Sequence, residues 1–222
     1  MLFRGTTNPA TMSPASALAL DAGLVAIFGL IHSVMARQGF KTLAARVMPR
    51  SAERATYVFV SALALSALAM LWQPVPVTLW SASGVTATFL TGLVAAGQAL
   101  ILAAIVSLGF SRFFGLRQGL DAMEGRDSGP DGFATPFLYR IVRHPIMTGM
   151  LLSLWAAPLM TADRLVLAVA MSAYILIALR FEERDLIATF GARYRAYMAR
   201  VPALIPNLPS VSVRPTAEER QV

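Results

Sequence analysis

Apolar residues in this chain come in long, nearly unbroken runs, without the strict alternation of a half-buried strand. Three runs, at roughly 15–35, 55–72 and 85–110, are each long enough to cross a hydrocarbon core of about 30 Å as a helix; the second could continue to Trp80. Two shorter runs, 146–160 and 165–179, flank the polar break Thr161-Ala162-Asp163-Arg164 and predict a helical hairpin. At about 1.5 Å per residue the first of these covers only about 22 Å, so it must tilt, thin the bilayer or begin below its surface. Beyond the hairpin, Leu186, Phe190, Tyr194, Tyr197 and Val201 recur at three- and four-residue spacing, while Arg184, Asp185, Arg193, Arg195 and Arg200 mostly take other faces. That pattern predicts an amphipathic interfacial helix over 182–201, which would anchor to the membrane surface and could also cover a site formed by the spans. The chain reads as an all-α integral membrane protein of about five transmembrane helices, the last two forming the short hairpin.

Composition supports this class. Of 222 residues 56% are hydrophobic and only 14% charged, where a soluble domain carries about a quarter. A single transmembrane domain is expected at 15–201, with flexible ends at 1–14 and 202–222, both rich in Pro, Ser and polar residues. With no cysteine and only two histidines, disulfides and thiolate clusters are excluded and no metal site is expected. Glycines and a proline inside the apolar runs, such as Gly92, Gly97, Gly149 and Pro158, mark candidate close helix contacts or kinks.

The net charge of +7 carries topological information. Every basic residue except Arg4 and Arg164 falls in the first loop, in the third loop or after the last span. By the positive-inside rule the N-terminus lies outside and the C-terminus in the cytoplasm, with an odd number of spans, as expected for an inner-membrane protein. Nucleic-acid binding is a poor reading, because the charges flank spans and accompany no basic, aromatic-bearing module. The first run is also a weak signal-peptide candidate, since its basic cluster follows it.

Candidate chemistry concentrates in the last third. A hairpin brings the start of one helix and the end of the next to the same edge, so His144 and Glu182 become neighbours despite their separation in sequence. Pro145 suits the first helical position and leaves the amides of Ile146 and Met147 free at a positive helix end. Arg143 adds a cation, and Glu182 and Glu183 supply carboxylates. A ligand bearing both a carboxylate and an ammonium would suit this set. Simpler roles compete: His144 as a helix cap, Arg143 as an interfacial anchor, the glutamates paired with Arg180 and Arg184. His32, near the inner end of the first run, is either a satisfied interhelical group or part of a substrate pocket. Trp72, Trp80 and Trp155 read as interface or packing aromatics and Asp163 as the hairpin turn.

The run Tyr139-Arg140-Ile141-Val142-Arg143-His144-Pro145-Ile146-Met147-Thr148-Gly149, then Glu182-Glu183-Arg184-Asp185-Leu186, Phe190-Gly191, Tyr194, Tyr197 and Val201-Pro202, resembles the isoprenylcysteine carboxyl methyltransferase superfamily. The earlier segments His32-Ser33-Val34-Met35-Ala36-Arg37, Glu53-Arg54-Ala55-Thr56-Tyr57, Phe114-Gly115-Leu116-Arg117-Gln118 and Thr135-Pro136-Phe137-Leu138-Tyr139 are similar to its NnrU-like, methanethiol S-methyltransferase branch. The resemblance implies a membrane enzyme that binds S-adenosylmethionine at its cytoplasmic face. It places the cofactor on the segment before Tyr139 (Phe133 and Ala134), on Tyr139, on Arg143, His144, Pro145 and Met147, and on Glu182 and Glu183. His32 and Arg180 are then the candidate substrate residues.

Two positions depart from the superfamily pattern. Met147 stands where a tyrosine is common, which removes a hydroxyl and makes the pocket more apolar. Ala178 stands where prenyl-cysteine enzymes carry an arginine, although Arg180 lies nearby, and this weakens the prenyl-cysteine reading. The implied reaction moves a methyl group from a sulfonium to a small thiol such as methanethiol, yielding dimethyl sulfide, and it depends mainly on positioning. Glu183 or His144 could assist as a base. The residues alone leave other thiols, selenols and lipidic acceptors open. A haem-binding NnrU-like isomerase, with His32 and His144 as iron ligands, and a non-enzymatic membrane partner in nitrogen-oxide metabolism are the alternative classes.

Overall fold

The computed structural model describes residues 12–126 and 132–207. Most of the two end segments expected to be mobile therefore lies outside the described residues. Helix α1 (Pro14–Ala36) opens on Ser13, whose hydroxyl accepts from the Ser16 amide, with Pro14 in the first turn where a missing N–H costs nothing. A short α2 (Gln38–Ala44) follows, then α3 (Arg50–Leu71) and α4 (Gly84–Leu108). Short helices α5 (Phe110–Phe113) and α6 (Leu116–Met123) and a 3₁₀ turn at Phe137–Arg140 lead to α7 (Pro145–Trp155), α8 (Ala162–Phe190) and α9 (Ala192–Met198).

Helices α1, α3, α4 and α8 are long and apolar enough to cross a membrane, and α7 is a shorter apolar helix. The three long runs predicted from sequence are thus present within a residue or two, apart from the start of α3 at Arg50. Many of their large side chains, among them Leu30, Phe59, Phe89 and Leu102, face outward, as they must where the surrounding solvent is lipid. The protein's own core is small. Val25, Phe28, Leu68, Trp72 and Met171 knit α1, α3 and α8 together.

Helices α4 and α7 approach most closely, and the reason is a pair of glycines. A Cβ on Gly149 would lie 2.5 Å from the Gly97 carbonyl oxygen and 2.8 Å from Ile101, so only hydrogen fits at this crossing. No comparable crowding surrounds Gly92, so of the glycines marked in the sequence Gly97 and Gly149 carry the contact.

The hairpin departs from its predicted dimensions at both ends. Its first rod stops at Trp155 instead of Met160, because Pro158 cannot continue a helix and disfavours helical backbone before it. The 11 residues of α7 rise only about 16 Å. The chain turns through residues 156–158, and Leu159–Thr161 then forms strand β2, antiparallel to β1 (Thr78–Ser81), with Trp80 opposite Met160. Pairing with β1 satisfies its backbone, as a lipid environment requires. Helix α3 likewise ends at Leu71, before Pro74 and Pro76, and does not reach Trp80.

The second rod is longer than predicted. The expected stop near Leu179 is absent because nothing from Arg180 to Thr189 breaks a helix, so α8 runs 29 residues, about 43 Å, and carries Glu182 and Glu183 on the bundle itself. The break falls at Gly191, whose φ of +55° suits glycine alone. The expected separate amphipathic helix over 182–201 is therefore the last turns of α8 plus the short α9.

Candidate active site

His144 caps α7 with non-helical backbone, and the His-Pro turn is held from outside the hairpin by the C-terminal segment. The amides of Arg143 and His144 donate to the carbonyls of Pro202 and Ala203 at 2.8 and 3.1 Å, and the Thr148 hydroxyl donates to Leu204 O at 2.8 Å. Residues 202–204, expected to begin a mobile tail, are instead a strap docked on the turn, because the turn offers donors that no helix satisfies. Arg143 fixes the strap further. Its Nη1 donates to Val201 O (2.5 Å) and Met198 O (3.3 Å), while Nε and Nη2 reach Glu183 Oε1 at 2.7 and 2.6 Å. With its side chain 10% exposed and most of its donors engaged, Arg143 organises the turn and does not stand as a free cation.

The two glutamates, consecutive on α8, point different ways. Glu183 turns under the strap, where the same Oε1 meets Arg143 and His144 Nε2 (3.2 Å), and it is 18% exposed. Glu182 lies 3.7 Å from His144 Nδ1 and keeps 47% of its side-chain surface. It is open, yet it sits within electrostatic reach of Tyr57 on α3, Tyr174 on α8, Tyr139 in the 3₁₀ turn and Tyr194 on α9. Glu182 is the more open carboxylate of the pair; Glu183 is part of the wall that holds the turn.

An aromatic layer at this end of the bundle comes from the end of α8 and from α9. Tyr194 and Tyr197 are buried, and their rings stand 5.9 and 5.4 Å from Phe133, which also packs on Phe190 at 5.3 Å. The Tyr197 hydroxyl donates to the Tyr139 carbonyl at 2.5 Å. Burial pushes the phenols of Tyr139, Tyr194 and Tyr197 above their ordinary range, so they stay neutral. The apolar stripe that could have been a lipid anchor therefore packs on protein along Tyr194 and Tyr197.

The predicted set Tyr139, Arg143, His144, Pro145, Glu182 and Glu183 thus gathers at one end of the bundle, with Phe133 joined through the aromatic cover. Met147 is half-buried in the first turn of α7, and Ala134 is exposed. Arg180 is exposed on α8, and no contact draws it to the His-Pro turn. His32 sits apart on α1, held by Tyr57 and Ser61 of α3. The two histidines belong to separate clusters: His32 bonds Ser61 and Tyr57 through its two ring nitrogens, and His144 bonds Glu183 through Nε2 with Glu182 3.7 Å from Nδ1. This argues against a shared iron.

Sequence reasoning missed Arg37, which pairs with Asp185 at 2.9 Å and lies 4.6 Å from the Phe181 ring, tying the end of α1 to α8. It also gave no role to Tyr57, Ser61 or Tyr174, although polar side chains inside apolar runs were the available signal. At the other end of the bundle is a separate cavity of about 540 Å³, lined by Trp72, Val94, Leu154, Asp163 and Leu167 among others.

A helix bundle with four spans long enough to cross a membrane and a polar cluster of Arg143, His144, Glu182 and Glu183 defines an integral membrane protein with a candidate site at one end. The phospholipid methyltransferase family matches residues 85–193, which include the His-Pro turn, Glu182 and Glu183. The chain is 46% identical to methanethiol S-methyltransferase 2 of Bradyrhizobium diazoefficiens, over 83% of this chain and 71% of that protein. It is 42% identical to methanethiol S-methyltransferase of Pseudomonas deceptionensis, over 86% of this chain and 74% of that one. With the protein of the same name from Mycobacterium tuberculosis it shares 40% identity over 90% and 83% of the two chains. The chain belongs to this family of membrane methyltransferases and is itself a methyltransferase. No solved structure matches it.

Proposed function

We propose that the protein transfers the methyl group of S-adenosylmethionine to a small thiol, methanethiol foremost, at the cytoplasmic face of a bacterial inner membrane, with its N-terminus outside. The observation that carries this reading is the placement of Glu182. An open carboxylate lies beside a buried His144 and the unpartnered start of α7, so a zwitterion finds both of its charges answered within a few ångströms. Glu182 would hold the ammonium or ribose hydroxyls of the donor. The amides of Ile146 and Met147 would hold its carboxylate, and Tyr139 with the aromatic cover would close over the adenosine end.

Bound there, S-adenosylmethionine supplies an electrophilic methyl carbon on a sulfonium. Protein residues then have to orient the two reactants and exclude water, which the strap and α9 do by roofing the site. The absence of an arginine at Ala178, the apolar Met147 and the names of the relatives all favour a neutral, small acceptor over a carboxylate. The basic loops support the cytoplasmic orientation.

The test uses the purified protein in lipid nanodiscs with labelled S-adenosylmethionine and methanethiol, with dimethyl sulfide measured in the headspace. Dimethyl sulfide from the wild type, together with donor binding that Glu182→Ala abolishes, is the expected result. A wild type that binds no S-adenosylmethionine, or a Glu182→Ala variant that binds it equally well, would overturn the assignment.

A further inference from the structure

Beyond the donor site lies a second polar cluster inside the apolar part of the bundle. His32 Nδ1 lies 2.9 Å from Ser61 Oγ, and its Nε2 lies 2.6 Å from Tyr57 Oη, with the other ring nitrogen farther from that phenol at 3.3 Å. The imidazole stacks on Phe28 at 5.5 Å and meets the edge of Tyr174 at 6.3 Å. A histidine held on both nitrogens and packed by aromatic rings is oriented, and intramembrane polar groups are expensive to keep unless they serve a purpose. The cluster also reaches toward the donor site along α8: Tyr174, whose ring edge meets His32, stands eight residues, about 12 Å, before Glu182.

The chemistry of a thiol acceptor requires a group that takes up a proton. Near neutral pH a thiol with pKa of about 8.5 or higher is mostly protonated, whereas the thiolate is the nucleophile. A proton must leave as the new bond forms. At the donor site Glu183 Oε1 is taken up by Arg143 and His144 Nε2, and Glu182, 3.7 Å from His144 Nδ1, is assigned to the donor.

We infer that Tyr57 and His32 form the thiol pocket and receive its proton, a reading that rests on the thiol methyltransferase function proposed above. A neutral imidazole has one donor and one acceptor nitrogen. With Nδ1–H donated to Ser61 Oγ, Nε2 accepts the Tyr57 hydroxyl, and the phenol oxygen is left to accept the thiol S–H. In the transfer, Tyr57 takes the thiol proton and passes its own to His32 Nε2. The thiol sulfur forms its bond to the methyl carbon as the carbon–sulfonium bond breaks, and that electron pair stays on the departing sulfur. The donor becomes a neutral thioether, the acceptor a methyl sulfide, and the positive charge ends on the imidazolium. Charged and titratable groups facing the relay are Tyr174 and Glu182 from α8, with Arg54 of α3 acting on Tyr57 and Arg37 of α1 acting on Tyr174.

The test compares wild type, Tyr57→Phe and His32→Gln in nanodiscs, measuring methanethiol methylation from pH 6 to about 10 alongside S-adenosylmethionine binding. A general base contributes on the order of 10²- to 10⁴-fold, so kcat of both variants should fall at least 100-fold at pH 7 with donor binding unchanged. The deficit should shrink below about 10-fold at pH 10, where solvent supplies the thiolate. A deficit of equal size at every pH, with the wild type active, would reduce the cluster to structure and overturn the relay alone. Donor binding lost together with activity, or full activity in Tyr57→Phe, would also overturn it. A wild type that methylates no thiol at any pH would overturn both the relay and the function on which it rests.

Discussion

Replacing Arg143 with alanine should release the strap from the His-Pro turn while leaving the bundle folded. Arg143 joins three separate things: Glu183 on α8 through Nε and Nη2, and the carbonyls of Met198 and Val201 through Nη1. Both members of the ion pair are mostly buried, at 10% and 18% exposure, so removing one partner strands the other, at about 3–5 kcal/mol. Against this, the strap's remaining ties are the amides of Arg143 and His144 and the Thr148 hydroxyl, each contributing about 1 kcal/mol net. The loss matches or exceeds what remains. The α4–α7 crossing and the α1–α3–α8 core do not involve Arg143, so the expected result is local opening. Hydrogen-exchange mass spectrometry on a peptide covering residues 139–148 should show the His144 amide exchanging about 100-fold faster, as about 3 kcal/mol implies. Arg143→Lys keeps the charge but not the fork and should fall between. A folded Arg143→Ala protein with unchanged exchange at His144 would refute the strap as the element that sets the turn.

Further outcomes are expected from single substitutions. Gly149→Val should lower thermal stability by 3 kcal/mol or more, on the order of a severe overpacking, while Gly92→Ala, with nothing near its Cβ position, should be neutral or mildly stabilising; equal effects in differential scanning would contradict the close crossing. Tyr197→Phe removes the hydroxyl that reaches the Tyr139 carbonyl and should cost about 1 kcal/mol; because burial raises the phenol's pKa, that cost should be constant from pH 5 to 9 in thermal melts. Glu182→Gln should leave stability within about 0.5 kcal/mol, since the side chain is half open, and weaken S-adenosylmethionine about 10- to 150-fold in a binding titration. A variant that loses stability but not affinity would make Glu182 part of the wall, like Glu183.

The long spans and the gathering of His144 with Glu182 were legible in the sequence because each follows from one simple constraint: apolar length in the first case, the geometry of a returning helix in the second. What escaped depended on partners far along the chain. The strand at 159–161 is possible only because β1 lies beside it, and β1 has no strand pattern of its own. The end of α8 looked like a separate surface helix since polarity rises at Glu182, yet polarity marks where lipid stops, whereas only Gly191 marks where helix stops. The strap at 202–204 has the composition of a loose tail and is ordered by donors on residues some sixty positions earlier.

The division of labour between Glu182 and Glu183 follows from the same geometry. Successive residues on a helix point about 100° apart, so the two acids on α8 meet His144 at different ring nitrogens, Glu183 at Nε2 (3.2 Å) and Glu182 at Nδ1 (3.7 Å). Arg143 and His144 approach from the α7 side and claim Glu183, while Glu182 has only His144 Nδ1, at 3.7 Å, beside it and stays half open. One acid locks the turn that the other needs beside it. It follows that a Glu182-Glu183 exchange is not interchangeable in effect: Glu183→Gln should open the strap in the same exchange experiment as Arg143→Ala, whereas Glu182→Gln should leave the strap closed and touch only ligand binding. If both variants opened the strap alike, the two carboxylates would form a single structural unit and the donor would have to be held elsewhere.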